Sequence, residues 1–277
     1  MQNDIFNLQI LPVDEILPHE EFDVNRALPL IEQLKKEKVL VNPVLVASLD
    51  DGKYLQLDGM NRLSAFKMMG MKSVLTQIID YNSQDEVELA SWVHLFDADK
   101  DKFIKFVKDI PGVYLEQGGS DRVGNRYLKE EGTARLCTIV CKEGDVKLVV
   151  TSGDLFEKIE KLNKIVSFYS DRITRDVLPR FSRMEQLKLL FSEHPQKNIL
   201  MVFPTFTRHQ IIKVVAQKKL IPAGISRHLF NRRCLNVRVP LSLFDEKKSI
   251  EEQNKMLEEF TLNRSYRVYE EPTVYFE

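Results

Sequence analysis

Asp58-Gly59-Met60-Asn61-Arg62 places an acid, a glycine, an amide and an arginine in five consecutive residues. The run lies between YLQL (54–57), which reads as a strand, and NRLSAFKMMG (61–70), which reads as a helix. A loop feeding a helix N-terminus offers unpaired backbone N–H groups and the positive end of the helix dipole. Gly59 allows a ligand to approach the backbone closely. Arg62 presents a planar fork suited to phosphate oxygens. Asp58, beside these donors, is able to accept a proton or to help hold Mg2+. Together the five residues make a chemically sensible phosphate cradle. The competing reading is a plain turn with Asp58 as the helix N-cap. The chain contains neither GxxxxGK[ST] nor GxGxxG, so this is not one of the common nucleotide loops.

Other reactive residue types are scattered. Glu20 stands beside Glu21 in PHEEF; on residue type alone it is a surface glutamate of an acidic loop. The neighbouring HEEFD lacks the second histidine of the HExxH zinc helix. Trp92 and His94, two apart in SWVHLF, are expected on one face of a strand. The single tryptophan would stack on a base, wall off a small substrate or fill core. Cys137 and Cys141 should share a strand face, and Cys234 stands apart. With no CxxC, buried reduced thiols are expected rather than a zinc site, and a reducing cytoplasm is the simplest location.

The elements that must position these residues follow from period and punctuation. Residues 5–17 read as a strand and a turn, and 26–40 as a helix with a basic last turn. PVLVASLD and YLQL form a hairpin around Asp51-Gly52. SVLTQIIDY is a strand, and SQDEVELASWVHLF is expected as a helix leading into a strand. ARLCTIVCKEGDVKLVV is a hairpin, DLFEKIEKLNKIVSFY a helix and ILMVFP a buried strand. Capping boxes at Thr207–Gln210 and Ser249–Glu252 open two further helices, and LNVRVPLSLF is expected as an edge or terminal strand because of Pro240. Helices and hairpins mixed without a repeating βαβ pattern indicate an α+β class.

The bulk composition fits a folded chain: 277 residues, 43% hydrophobic and 29% charged. No apolar run reaches the roughly 18 residues that span a bilayer, so no membrane partner is expected. The N-terminus, with Asp4 and no basic stretch, does not read as a secretory signal. Net charge is −1, yet no acid occurs between His194 and Phe244, where nine Lys and Arg fall. That asymmetry points to an anionic partner or to intramolecular pairing.

The order PHEEF, helix, strand, YLQLDGMNRLSAF, strand resembles the ParB/sulfiredoxin superfamily. The later stretch FPTFTRHQIIKVVAQKKLIPAGISRHLFNRR resembles the free L-serine kinases built on that fold. Their usual loop is Asp-Gly-His-His-Arg; the form here, with both histidines replaced, looks most like the siderophore (staphyloferrin B) branch of the family. The resemblance spans about residues 5–240. It implies a ParB/sulfiredoxin-like nucleotide-binding domain at 1–110, a mixed α/β lobe at 111–240 closing the active site, and a C-terminal helix and tail at 241–277. It implies transfer of a phosphoryl group from ATP or ADP, with Mg2+, to the hydroxyl of L-serine. Asp58 to Arg62 would bind the phosphates, with Asp58 near the reacting hydroxyl. Glu20 would be the catalytic carboxylate, and Ser226, Arg227 and His228 would close over the amino acid and phosphates, with Trp92 as a further substrate contact. Which of Glu20 and Asp58 is the base stays open. The competing function is a ParB-like regulator that binds DNA through the acid-free segment, with haem as a non-covalent effector to which no residue is assigned. The C-terminal residues would form a homodimer, cap the fold or regulate it.

Overall fold

The computed structural model describes residues 6–22, 24–119, 123, 126–178, 184–262, 264–269 and 273–276. In chain order the elements are β1 (Leu8–Pro12), β2 (Ile16–Leu17), α1 (Val24–Glu37), β3 (Val39–Leu40), β4 (Val44–Ser48), β5 (Tyr54–Asp58), α2 (Met60–Met68) and β6 (Ser73–Ile78). There follow β7 (Val87–Ser91), β8 (Val93–Phe96), α3 (Lys100–Lys108), β9 (Val113–Gln117), β10 (Ala134–Cys141), β11 (Val146–Thr151), α4 (Leu155–Ser167), β12 (Thr174–Asp176), α5 (Met184–Glu193), β13 (Ile199–Val202) and α6 (Arg208–Ala216). The last elements are β14 (Ser226–Phe230), β15 (Arg233–Leu235), β16 (Val239–Pro240), α7 (Ile250–Leu262), β17 (Tyr266–Tyr269) and β18 (Thr273–Phe276). The mixture is α+β, as expected.

The chain divides into two compact units, Met1–Glu88 with His228–Glu277, and Leu89–Arg227. These boundaries differ from the 110 and 240 read from the sequence. The C-terminal residues return to the first unit, so that unit is discontinuous, which a linear reading does not anticipate.

The first unit holds a five-stranded sheet in the order β1-β6-β4-β5-β2. β4 and β5 form the expected hairpin, closed by Gly52 at φ 78°. A register irregularity lies between Leu45 and Val46, with Leu45 opposite Asp58. Bulges re-aim side chains near functional loops, and this one sits beside the candidate loop. α2 stops at Gly70 (φ 74°), where Met71 N–H reaches back to the Phe66 carbonyl. α7 covers the sheet edge: the Asn254 amide both accepts from Ile10 N–H (2.8 Å) and donates to Ile10 C=O (2.9 Å). Leu257 of α7 joins a core that includes Ile10, Leu34, Val46, Phe66 and Leu75. The expected Ser249–Glu252 capping box is present.

The second unit is built on a six-stranded sheet, β12-β8-β13-β10-β11-β9, with every pairing antiparallel. The Thr207–Gln210 capping box opens α6, and a second, Asp154–Glu157, opens α4.

Two expectations fail locally. Residues 87–91 are a strand, not a helix, because burial alternates along Val87, Leu89 and Ser91; the acids Asp85, Glu86 and Glu88 imitate a helix first turn. LNVRVPLSLF is not one strand: Asn236 and Arg238 take positive φ (55° and 53°), β16 is two residues long, and a 3-10 turn follows at Leu241–Phe244.

Candidate active site

The first unit gathers most of the expected residues. β5 ends at Asp58, Gly59 occupies the N-cap position of α2 at φ 89°, and Met60 begins the helix with no side-chain cap. The plain-turn reading with Asp58 as N-cap therefore does not hold. The helix opens with its first amide groups uncapped by a side chain, the arrangement that favours an anion. A Cβ on Gly59 would sit 2.7 Å from Arg62 Nη2 and 2.9 Å from its Nε. The positive φ favours glycine here, and its lack of a Cβ lets the guanidinium pack on the loop backbone.

Asp58 Oδ2 accepts from Arg62 Nη2 at 3.3 Å and also from Arg233 Nη2. The second arginine comes from β15, 175 residues away in sequence. Burial holds the Arg62 guanidinium below its ordinary pKa; Asp58 opposes this, and the like charge of Arg233 adds to it. Each guanidinium keeps a buried Nε without a hydrogen-bond partner. Gln56, on β5 two residues before Asp58, is buried with Oε1 likewise unpartnered.

Glu20 lies in the PHEEF loop with its side chain 14% exposed, not at the open surface. Its Oε1 is 4.0 Å from His19 Nε2. His19 is buried, and its Nδ1 lies 2.7 Å from the Gln56 carbonyl. A carbonyl only accepts, so Nδ1 carries the hydrogen and Nε2 faces Glu20. The His19 ring meets His228 edge-on at 5.3 Å. His228 is hydrogen-bonded through Nε2 to Tyr81 Oη (2.9 Å) and stacks on Phe230 (6.1 Å between centroids). Arg233 lies 5.5 Å over the same Phe230 ring. Glu20, Asp58 to Arg62 and His228 thus belong to one unit, together with His19, Gln56, Tyr81, Phe230 and Arg233, which residue-by-residue reading did not select. The sequence signals for Arg233 were its membership of the acid-free segment and its place at the end of the stretch that resembles the free serine kinases.

Ser226, Arg227 and Trp92 belong to the second unit. Arg227 stacks 4.7 Å over the Trp92 ring, a cation–π contact, and burial holds its pKa below the ordinary value. Ser226 is buried on β14. Trp92 and His94 do not share a strand face, because the chain breaks between β7 and β8 at Trp92. His94 instead is fully buried, with Nε2 on the Gly224 carbonyl (2.8 Å) and Nδ1 3.4 Å from Tyr169 Oη.

The nine cations of the acid-free segment are divided between the units: Arg232, Arg233 and Arg238 fall in the first, the others in the second. Lys213 pairs with Glu130 (3.0 Å), Lys219 with Glu160 (2.6 Å) and Arg233 with Asp58. Intramolecular pairing therefore accounts for part of the asymmetry. The three cysteines are buried and unbridged, and burial raises the Cys234 thiol to about 12. Among the described residues no helix is long and apolar enough to cross a membrane, and no three His, Cys, Asp or Glu side chains cluster as metal ligands.

Comparison with known proteins follows the same lines. No family model matches the chain. The ATP-dependent L-serine kinase SbnI of Staphylococcus aureus is 25% identical over 253 residues, 89% of this chain and 87% of that protein. An ATP-dependent L-serine kinase of Staphylothermus marinus is 25% identical, over 79% of this chain and 84% of its own. The solved structure of a C-terminally truncated SbnI from Staphylococcus aureus superimposes with a TM-score of 0.68 at 21% identity, covering 93% of this chain and 96% of that one. The chain has the fold of SbnI and resembles the free serine kinases along most of its length.

Proposed function

We propose that the protein is a free L-serine kinase that makes O-phospho-L-serine from L-serine and ATP, releasing ADP. The observation that carries this is the N-terminus of α2, free of any side-chain cap and faced by arginines with unpartnered buried Nε atoms, in the same unit as Glu20, whose side chain is 14% exposed. The names of the two relatives support ATP as donor over ADP. The serine hydroxyl oxygen forms a bond to the terminal phosphorus, the bond from that phosphorus to the bridging oxygen breaks, and the hydroxyl proton passes to a carboxylate. Most of the catalysis in such a transfer is positioning and charge stabilisation. The Gly59 to Arg62 backbone and the Arg62 guanidinium bind phosphate oxygens. Glu20 takes the proton. His228 supplies a group for the zwitterionic substrate.

Mg2+ is typically bound through one or two carboxylates plus substrate phosphates, so the absence of a three-ligand cluster among the described residues is compatible with it; Glu20 or Asp58 would supply the protein oxygen. When bound, the ion would neutralise developing charge on the phosphate tail. The product would serve as a precursor in siderophore biosynthesis, in the cytoplasm, where the buried free thiols are stable.

The test incubates wild type and Glu20→Ala with Mg2+ and L-serine, and separately ATP or ADP, with phosphoserine read by mass spectrometry. Product from wild type is expected with ATP. The variant should lose about 10²–10⁴-fold in turnover while still binding nucleotide. A folded wild type that binds nucleotide but makes no phosphoserine would end the kinase reading.

A further inference from the structure

We propose that Arg233 is a second phosphate-binding group of this site and that Asp58 is the counter-ion holding the two arginines until phosphate displaces it. The proposal deepens the kinase reading and rests on it for the identity of the donor.

Four observations converge. Asp58 offers a single carboxylate oxygen to two guanidiniums, so the cluster carries two positive charges against one negative. Such a cluster is under-neutralised, and like charges held close under partial burial favour a further anion. Second, both guanidiniums leave a buried Nε unpartnered. Buried polar groups are hydrogen-bonded in the great majority of cases, so two orphans on adjacent arginines mark a partner still to be engaged. Third, Arg233 is braced: its guanidinium lies over Phe230, Phe230 stacks on His228, and His228 is hydrogen-bonded to Tyr81. That is how an arginine is pre-organised for an incoming ligand rather than left to search rotamers. Fourth, the Arg62 guanidinium packs directly on Gly59, whose positive φ of 89° already favours glycine, so the fork lies against the loop backbone at the start of α2.

The chemistry that satisfies two planar forks beside a helix N-terminus is a polyphosphate, whose adjacent phosphate groups present several acceptor oxygens. Asp58 Oδ2 stands in for one of those oxygens. On binding, phosphate oxygens take the Nη hydrogens that Asp58 now accepts and the Nε hydrogens that have no partner, and no covalent bond changes.

The experiment measures binding of inorganic tripolyphosphate and of ATP by calorimetry, for wild type, Arg233→Gln, Arg233→Lys and Asp58→Asn, each checked for an unchanged melting transition. Arg233→Gln should weaken both ligands by roughly 10- to 100-fold, the effect of one charge-assisted hydrogen-bonded pair. Arg233→Lys, which keeps the charge and loses the fork, should fall between. Asp58→Asn should bind at least as tightly as wild type, because a competing anion is gone. In turnover the Arg233→Gln defect should appear in the KM for ATP and not in the KM for L-serine. Unchanged tripolyphosphate binding in Arg233→Gln would overturn the proposal, and so would a defect confined to the serine KM, which would make Arg233 a carboxylate partner. Asp58→Asn that binds about tenfold more weakly would overturn the counter-ion role. Tripolyphosphate binding that depends on Arg233 in a protein that makes no phosphoserine would sink the kinase reading and leave this one standing.

Discussion

His94 should make the second unit acid-sensitive in a way that a single substitution removes. The ring is fully buried between the Gly224 carbonyl, Tyr169 and Phe203, with Arg175 nearby. The carbonyl fixes the tautomer: Nε2 carries the hydrogen and Nδ1 accepts from Tyr169 Oη. Burial pushes the imidazole pKa down from 6.5 to about 3; the Gly224 carbonyl opposes this, and the charge of Arg175 adds to it. In the unfolded chain the ring titrates near 6.5. Between those values the unfolded state binds a proton and the folded state does not. Stability is therefore unpenalised above pH 6.5, falls as pH drops through the window, and levels off near pH 3.

The slope is about 1.4 kcal/mol per pH unit within the window. Going from pH 7 to pH 5 should thus cost about 2 kcal/mol from this one group. Carboxylates titrate in the same range, so the informative quantity is the difference between wild type and His94→Gln. Glutamine still donates to Gly224 and does not titrate. Trp92 is the only tryptophan, its backbone N–H donates to the Ile225 carbonyl (2.9 Å), and Arg227 lies over its ring. Its fluorescence in urea titrations therefore reports on the second unit. Wild type should lose about 2 kcal/mol more than His94→Gln between pH 7 and pH 5. Parallel pH profiles for the two proteins would refute the buried neutral imidazole.

Gly59→Ala should combine a left-handed backbone penalty of about 1–2 kcal/mol with displacement of Arg62. Melting should shift down modestly while ATP affinity drops by about tenfold or more; affinity equal to wild type would show that the guanidinium is not engaged where it stands. Asn254→Ala strips the Ile10 backbone of both partners, so it should cost about 1–3 kcal/mol and uncover the β1 edge. Light scattering during thermal unfolding should then begin earlier, and an unchanged onset would mean that α7 protects the edge by packing alone.

Much of this architecture is written in short-range signals. Asp51-Gly52, Gly70 and the Thr207 and Ser249 caps each specify a local backbone state that depends on neighbouring residues, and each appears where its residue type demands. The loop at 58–62 was legible for the same reason. What was not legible depends on contacts distant in sequence. Nothing near Arg233 marks it as the partner of Asp58, because the link is made by bringing β15 to the end of β5. Nor does PHEEF reveal that His19 would be buried against Gln56, or that Glu20 would lose most of its exposure. The acid-free segment left two readings that only folding separates. A linear excess of cations is compatible with an anionic partner or with intramolecular pairing, and folding sends three of the nine to acids: Lys213 and Lys219 to glutamates and Arg233 to an aspartate.

The same contacts bear on the question the loop sequence left open, which of two carboxylates is the base. A general base needs a lone pair aimed at the hydroxyl it deprotonates. Asp58 spends Oδ2 on two guanidiniums, so its place in the site is that of their counter-ion. Glu20 Oε1 lies 4.0 Å from Nε2 of His19, whose Nδ1 hydrogen is committed to the Gln56 carbonyl. A carboxylate beside an imidazole nitrogen is better placed to face a hydroxyl than one that offers the same oxygen to two guanidiniums. Glu20→Gln should therefore depress kcat by about 10²–10⁴-fold with ATP binding kept. Asp58→Asn should keep kcat within about tenfold of wild type, since what it removes is a charge that phosphate replaces. Equal losses in kcat for the two variants would place both carboxylates at the reacting hydroxyl and undo the division of labour argued from the arginines.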